Sequence, residues 1–456
     1  MQLKDGMLNQ IAKNGGNVAQ FVSFAPNGAQ RFSCVRGVSH SKRFKNIEES
    51  VHAILETGAP FVNMRSFLPQ KPEGNPFLMG RKGFQTPQKV ALKVNELLKR
   101  GYYVIINEEI DEKDGGFSGV LLGNVAEFST CDIPRCVEKA GLAVLPRLTL
   151  FDFVRIVYKH RINIPYDRSY RVEFSVHPGS VGFAKQNQII WQIEQNLPGH
   201  EIPEPKPQWP NRVSQDMGDK AYGLLMAHLY GFLVPRTKVF GRIIPPFEFG
   251  VETESPEQCW RRVCSRVQQP GLFTTKHGHV DPFALMRKED PRGTQIAALI
   301  FQDDVEASYS GAAVTNGDGS VIIEGKAGHG DQFMLGEAPD SHLPDYVKDS
   351  VQNVWERACR IFGPVRFEWC FDKTGTVWIV QFHLGRRNSN GNVIYPGKPE
   401  GFKVFKVSKG IKEFRSLIEQ AKKEKFGIIL KGNVGITSHF GDLLWRNEIP
   451  SRLERD

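Results

Sequence analysis

The sequence predicts an α+β fold of two related mixed α/β halves with largely antiparallel sheets. Three observations carry this. Short β-rich runs and amphipathic helical stretches are intermixed. Many of the runs form hairpin-like pairs. The order of runs in the first half returns in the second.

Four helices have start and stop signals. Thr86-Pro87 opens the first, with Val90, Val94, Leu97 and Leu98 on one face and Gly101 as the stop. Asp219 to Tyr230 is the second, with Leu224, Leu225 and Leu229 apolar and Gly231 after it. The third runs from about Pro344 to Ile361 with a stripe from Val347 to Ile361. The fourth, Ile411 to Lys423, uses Ile411, Phe414, Leu417, Ile418 and Ala421. Strands are expected at Tyr102–Ile106, Arg171–Val176, Gln188–Ile193, Ile296–Phe301, Val321–Glu324, Val365–Trp369 and Val377–Phe382.

The chain has 456 residues, 40% of them hydrophobic and 24% charged, which argues against general disorder. The proline-rich Glu201–Asn211 reads as a stiff connector. The expected organisation is therefore 1–200, a linker at 201–211, 212–400, and a C-terminal piece at 401–456. No uncharged apolar run reaches the length of a membrane span. The N-terminus has no apolar core, so no secretion signal is expected. Seven cysteines without such a signal favour a reducing, cytoplasmic setting. The two C-x₄-C pairs, Cys131/Cys136 and Cys259/Cys264, lack the usual zinc spacing and read as buried free thiols.

Lys+Arg 59 against Asp+Glu 50 gives a net charge of +9. These cations are spread along the chain, and no RNP, zinc-finger or helix-turn-helix pattern accompanies them. Nucleic-acid binding is not the expected role.

The internal repeat places Glu173 against Glu368, Ser118-Gly119 against Ser310-Gly311, and Gln192 or Glu194 against Gln381. Glu368 and Gln381 lie on adjacent strands of one hairpin. A carboxylate and a second oxygen ligand so placed suit Mg²⁺, which is commonly completed by nucleotide phosphates; taken alone, the pair reads better as a plain cross-strand Glu and Gln. Lys220 opens a helix after Gly218-Asp219, where a cation and free N–H groups suit a phosphate, without Walker A spacing. The loop Glu324–Gly336 carries Gly325, Gly328 and Gly330, which permit close backbone approach to a ligand. His439 follows Thr437-Ser438 at a loop-to-helix junction, as either a phosphoryl acceptor or an ordinary polar residue behind a cap.

Together these segments resemble the ATP-binding part of the phosphoenolpyruvate synthase and pyruvate phosphate dikinase family. The resemblance rests on GDKAYGLLMAHLYGFLVP (218–235), FQDDVEASYSGAAVT (301–315) and VRFEWCFDKTGTVWIVQFHLG (365–385). NMRSF (63–67) and VGITSHFGDLLWRNEIPS (434–451) are similar to the family's phosphate-contacting arginine and phosphohistidine segments. The resemblance implies an ATP-grasp-like fold, with ATP and Mg²⁺ as cofactors. It implies that Lys220 contacts phosphates, that Gln302 lies at the nucleotide, and that Glu368 and Gln381 bind Mg²⁺ and nucleotide. Arg65 would contact phosphate if the first half completes a site, and His439 would accept it. Departures are Gly-Asp-Lys for Gly-Gly-Lys, His383 for the arginine after the glutamine, and Lys276 where an arginine segment is expected. Only 17 residues follow His439, so a full mobile phosphohistidine domain is not expected.

The function expected is an ATP- and Mg-dependent phosphotransferase or ligase with an unread acceptor, a small molecule or a protein. A partner chain supplying a missing acceptor domain is compatible with it. The alternative is a non-catalytic nucleotide sensor or scaffold.

Overall fold

The structure is a computed structural model describing residues 3–68, 86–111, 113–131, 141–164, 168–195, 205, 207–266, 276–328, 343–387, 392–432 and 434–454; side chains at 255–258, 276, 277 and 387 lie outside the description. The fold is α+β with largely antiparallel sheets. The chain divides into two compact units, Met1–Pro205 and Lys206–Asp456.

In the first unit, helix α1 (Lys4–Lys13) precedes β1 (Phe21–Phe24) and β2 (Gln30–Cys34). Then come α2 (Ile47–Glu56), β3 (Val62–Phe67), α3 (Pro87–Lys99) and β4 (Tyr103–Glu108). These strands form an antiparallel sheet of order β2-β1-β4-β3. One face packs on α2 and α3 through Val22, Met64, Val94, Leu97 and Ile106. Helix α3 begins as expected, with Thr86 accepting from the Lys89 N–H and Pro87 in the first turn. Helix α1 buries Leu8, Ile11 and Ala12 on one face. A second sheet comprises β5 (Phe117–Leu122), β6 (Val125–Thr130), β7 (Ala143–Pro146), β8 (Tyr170–Val181) and β9 (Gln186–Gln195), in the order β7-β6-β5-β8-β9. Helix α4 (Arg147–Val157) lies between β7 and β8.

The second unit repeats this plan. Helices α5 (Arg212–Met217) and α6 (Asp219–Leu229) precede β10 (Thr237–Gly241), β11 (Phe247–Phe249), β12 (Ser255–Ser265), β13 (Lys276–His277), α7 (Pro282–Glu289) and β14 (Ile296–Asp304). The sheet order is β11-β10-β14-β12-β13. The next sheet contains β15 (Ala307–Asn316), β16 (Val321–Ala327), β17 (Val365–Asp372) and β18 (Val377–Leu384), with α8 (Asp345–Phe362) between β16 and β17. Its order is β16-β15-β17-β18, and β19 (Arg386–Arg387) runs parallel to β15. The expected connector is partly core: Trp209 is buried, with its ring centroid 5.5 Å from Tyr222 and 6.0 Å from Phe362.

The C-terminal piece holds more than the helix expected there. Strands β20 (Val393–Tyr395), β21 (Phe402–Lys406), β22 (Gly427–Lys431) and β23 (Ser451–Glu454) form a sheet of order β20-β23-β22-β21. The β21-β22 and β22-β23 pairings are parallel, connected through α9 (Gly410–Glu424) and α10 (His439–Arg446). Phe405, Phe414, Ile428, Leu430, Phe440 and Leu444 form its core. Among the described residues, no helix is long and apolar enough to cross a membrane.

Candidate functional site

The site is built on the β17–β18 hairpin. Glu368 stands directly opposite Gln381, and cross-strand partners share a sheet face. The register slips immediately after Glu368, and such a bulge re-aims the neighbouring side chains. The neighbouring strand β15 needs a glycine here: a Cβ at Gly311 would collide with the Glu324 carbonyl and Gly325 Cα of β16, and also with the Trp369 ring next to Glu368.

Gln381 is oriented by a relay. His383 Nδ1 lies 2.8 Å from the Asp219 carboxylate, and His383 Nε2 lies 2.9 Å from Gln381 Nε2. The Asp219 carboxylate accepts from the His383 Nδ1–H, so Nε2 accepts from the Gln381 amide. The amide oxygen is then the group left to meet a ligand.

Three cations surround this hairpin. Lys220, in the first turn of α6, makes no hydrogen bond or ion pair with another described residue. Burial holds its ammonium below the ordinary lysine range, aided by Arg262 and opposed by Cys264, Glu368 and Asp219. Arg262 projects from β12, is buried, and donates from Nη1 to the Val380 carbonyl at 2.6 Å. Its Nε is buried without a partner. Arg366, on β17, is paired with Asp442 of α10, whose other oxygen accepts from Arg446 at 3.1 Å. Burial alone would raise the Glu368 carboxyl. Arg262, His439, Arg366 and Lys220 together reverse that and hold it below the usual carboxylate range.

His439 comes to the hairpin by a separate tether. The buried Glu324 carboxylate on β16 accepts the Ile436 N–H at 3.0 Å, the Thr437 N–H at 2.7 Å and the Thr437 hydroxyl at 2.5 Å. Ser438 then caps α10 by accepting from the Gly441 N–H. This sets His439 at the first position of α10, with Nδ1 buried and without a hydrogen-bond partner. Burial lowers the His439 pKa, opposed by Glu368 and reinforced by Arg366. The ring is therefore neutral near pH 7, with a nitrogen lone pair to offer.

The structure thus brings Lys220, Glu368, Gln381 and His439 together. Gln302, on β14, shares the sheet face of Arg262, through Trp260 opposite it and Ile300 opposite Arg262. Its amide donates to the Thr237 hydroxyl at 3.3 Å. Gly328 follows β16 with φ of 76°, and its carbonyl accepts from the Ser310 hydroxyl. Gly330 lies outside the described residues. Lys276 is on edge strand β13, opposite Arg261, and its side chain is outside the description. Arg262, on the neighbouring strand β12, is a buried cation at the hairpin. Arg65 belongs to the first unit. The reading of the sequence passed over Arg262, Arg366, Glu324 and the Asp219–His383 pair. One signal was present: Arg precedes the key Glu by two residues in both RVEF and RFEW.

For a metal, the described residues include no group of three or more His, Cys, Asp or Glu able to hold an ion. The Glu368 side chain makes no hydrogen bond or ion pair with another described residue, and Gln381 stands opposite it on the ladder. That set fits Mg²⁺ shared with phosphate oxygens and does not fit a metal caged by protein alone.

No protein-family model and no curated protein matches the chain. Among solved structures it is similar to macrocyclase MdnB from Microcystis aeruginosa, at 12% identity over 38% of this chain and 54% of that one, with a TM-score of 0.22. It is also similar to the ATP-complexed D-alanine–D-alanine ligase from Bacillus anthracis, at 11% identity over 38% and 57%, with a TM-score of 0.25. An L-amino acid ligase from Bacillus licheniformis matches at 15% identity over 40% and 43%, with a TM-score of 0.25. The chain spans about half the length of the solved structures it matches.

Proposed function

We propose that the unit Lys206–Asp456 is an ATP-grasp-like nucleotide site that uses ATP and Mg²⁺ for phosphoryl transfer, with His439 as the first acceptor. One observation carries this reading. A neutral histidine with an unpartnered nitrogen is tethered beside a bare carboxylate that three cations surround. Such an arrangement suits phosphoryl transfer, which depends mainly on positioning and charge neutralisation. The likeness to the phosphoenolpyruvate synthase family supports the same assignment.

In this reading Lys220, Arg262 and Arg366 hold the phosphates. Glu368 and the Gln381 amide oxygen hold Mg²⁺, which supplies charge neutralisation when bound. A His439 ring nitrogen donates its lone pair to the γ-phosphorus. The bond from that phosphorus to the bridging oxygen breaks, its electrons leave on ADP, and the second ring nitrogen keeps its proton. The phosphoryl group then passes to an acceptor, a small molecule or a protein, in a kinase-like or ligase-like second step.

The test is labelling of the full chain with γ-labelled ATP, reading acid-labile, alkali-stable phosphate. Wild type takes up label and His439→Asn does not. Glu368→Gln slows ATP consumption by about 100-fold or more, as expected for loss of one electrostatic group at the reacting charge. Equal labelling of wild type and His439→Asn would remove His439 from the reaction.

A further inference from the structure

The first unit contains the same constellation, built in the same register. Glu173 stands opposite Gln192, with a register slip directly after it, as Glu368 stands opposite Gln381. Arg171 opposes Glu194 as Arg366 opposes His383. Arg65 Nη1 donates to the carbonyl of Trp191 at 3.3 Å, and Arg262 Nη1 to that of Val380 at 2.6 Å. Trp191 and Val380 each immediately precede the paired glutamine.

The helices match as well. The Gly16 N–H bonds the Ile11 carbonyl at 2.9 Å, and the Phe232 N–H bonds the Ala227 carbonyl at 3.0 Å. The next residues, Asn17 and Leu233, accept from Ile190 and Ile379 at 3.0 and 2.8 Å. Lys4 and Lys220 each lie thirteen residues before these acceptors. Asn107 occupies on β4 the place that Gln302 occupies on β14, two positions beyond the partner of the buried arginine.

Around these groups lies a small cleft, partly open to solvent, with an enclosed volume of about 10 Å³, room for one water; its polar lining is Lys4, Arg65, Asn107, Trp191 and Gln192. Two lining side chains keep a buried atom without a hydrogen bond, Asn107 Oδ1 and Arg65 Nε, and Asn107 is more than nine-tenths buried; Glu173, behind the lining, is ion-paired with Arg171 at 2.6 Å and Arg65 at 3.7 Å. Buried polar atoms are rarely left so, and a cleft that leaves two suits a polar ligand.

The two sites differ in their chemistry. Where His383 stands, the first unit has Glu194, which holds Lys4 at 2.7 Å. Glu127 matches Glu324, since each lies opposite the residue that pairs with the key glutamate. Glu324 holds the histidine segment, whereas Glu127 Oε2 is buried with no hydrogen-bond partner. Among the described residues, no histidine, serine, threonine or cysteine lines the cleft.

We propose that this cleft is a second site for the phosphate end of a nucleotide, one that binds without transferring. It rests on the reading of the second unit for its ligand class. Lys4 exchanges Glu194 for phosphate, Arg65 supplies the fixed guanidinium, and Glu173 with Gln192 takes the place of Glu368 with Gln381.

The experiment is equilibrium dialysis of the full chain against Mg·ADP. Wild type is expected to bind two equivalents. The double variant Lys220→Ala/Glu368→Gln keeps one, and Lys4→Ala or Arg65→Lys keeps only the other. Lys4 is partly exposed, so its variant reports even where a change at buried Arg65 perturbs folding. One equivalent in wild type, lost with Lys220→Ala/Glu368→Gln and untouched by Lys4→Ala, overturns this proposal and leaves the function of the second unit standing. One equivalent with the reverse pattern supports the first-unit site and removes nucleotide from the second.

Discussion

Arg262 donates to the main-chain carbonyl of Val380, and so couples β12 to the strand that carries Gln381. The bond spans 118 positions of sequence and holds a guanidinium fixed before any ligand arrives. A rigid planar fork keeps a phosphate-facing edge while one nitrogen is engaged, which an ammonium cannot do.

Arg262→Lys is therefore not a conservative change. The charge is kept, but the bond to Val380 and the fork are lost. A buried carbonyl left without its donor costs about 1–3 kcal/mol. Thermal unfolding should show that loss. ATP consumption should fall by about 100-fold, because the cation is no longer aimed at the developing charge. Wild-type turnover in the lysine variant would place Arg262 outside the site.

Under the proposed transfer to His439, this ring sets an acid limb. Its ring is held below the ordinary histidine pKa of 6.5, chiefly by burial, so the nucleophilic neutral form persists into mildly acidic solution. The initial rate of histidine labelling should stay flat from pH 8 to 6.5 and decline only below that. A decline beginning above pH 7 would contradict the burial seen for this ring.

The hairpin of Glu368 and Gln381 was legible in the sequence because alternation and a short turn set its register locally. Lys220 was legible for a similar reason, since Gly-Asp-Lys marks a helix start. Arg262 was not, because its role arises where β12 meets β18, and linear spacing pointed to Lys276 instead. The C-terminal sheet was missed for a different reason. Gly427–Lys431 is a buried parallel strand, and such strands read as plain apolar runs without alternation. Trp209 sits among prolines that signal a connector, yet it packs against Tyr222, Phe362 and Phe382. Local composition could not show that long-range packing.

Cys264 predicts a loss of stability in alkali. Burial pushes its thiol from 9.0 up to about 11, with Lys220 pulling the other way. The folded state therefore holds this proton more tightly than the unfolded chain. Its contribution is complete below pH 9 and is lost as pH rises from 9 through 11, worth about 2 kcal/mol at the top of that window. Urea unfolding of wild type and Cys264→Ala across this range should show a steeper decline in wild type. Parallel pH dependences would mean that the thiol ionises alike in both states.

Gly218 joins α5 to α6 with φ of 89°, a conformation that side chains rarely adopt. A Cβ there would also collide with the Cβ of Cys264, on the neighbouring strand β12. Gly218→Ala thus adds backbone strain and overpacking at once, with an expected cost of at least about 2 kcal/mol. The strain relaxes most readily by shifting the start of α6, which carries Asp219 and Lys220. Asp219 orients His383, and His383 orients Gln381, so the displacement reaches the hairpin through that relay. The variant should lose nucleotide affinity in the second unit by more than its stability loss alone predicts at temperatures where it remains folded. Dialysis against Mg·ADP well below the unfolding midpoint measures this. Unchanged affinity in a destabilised variant would confine Gly218 to a packing role and separate the helix start from the site.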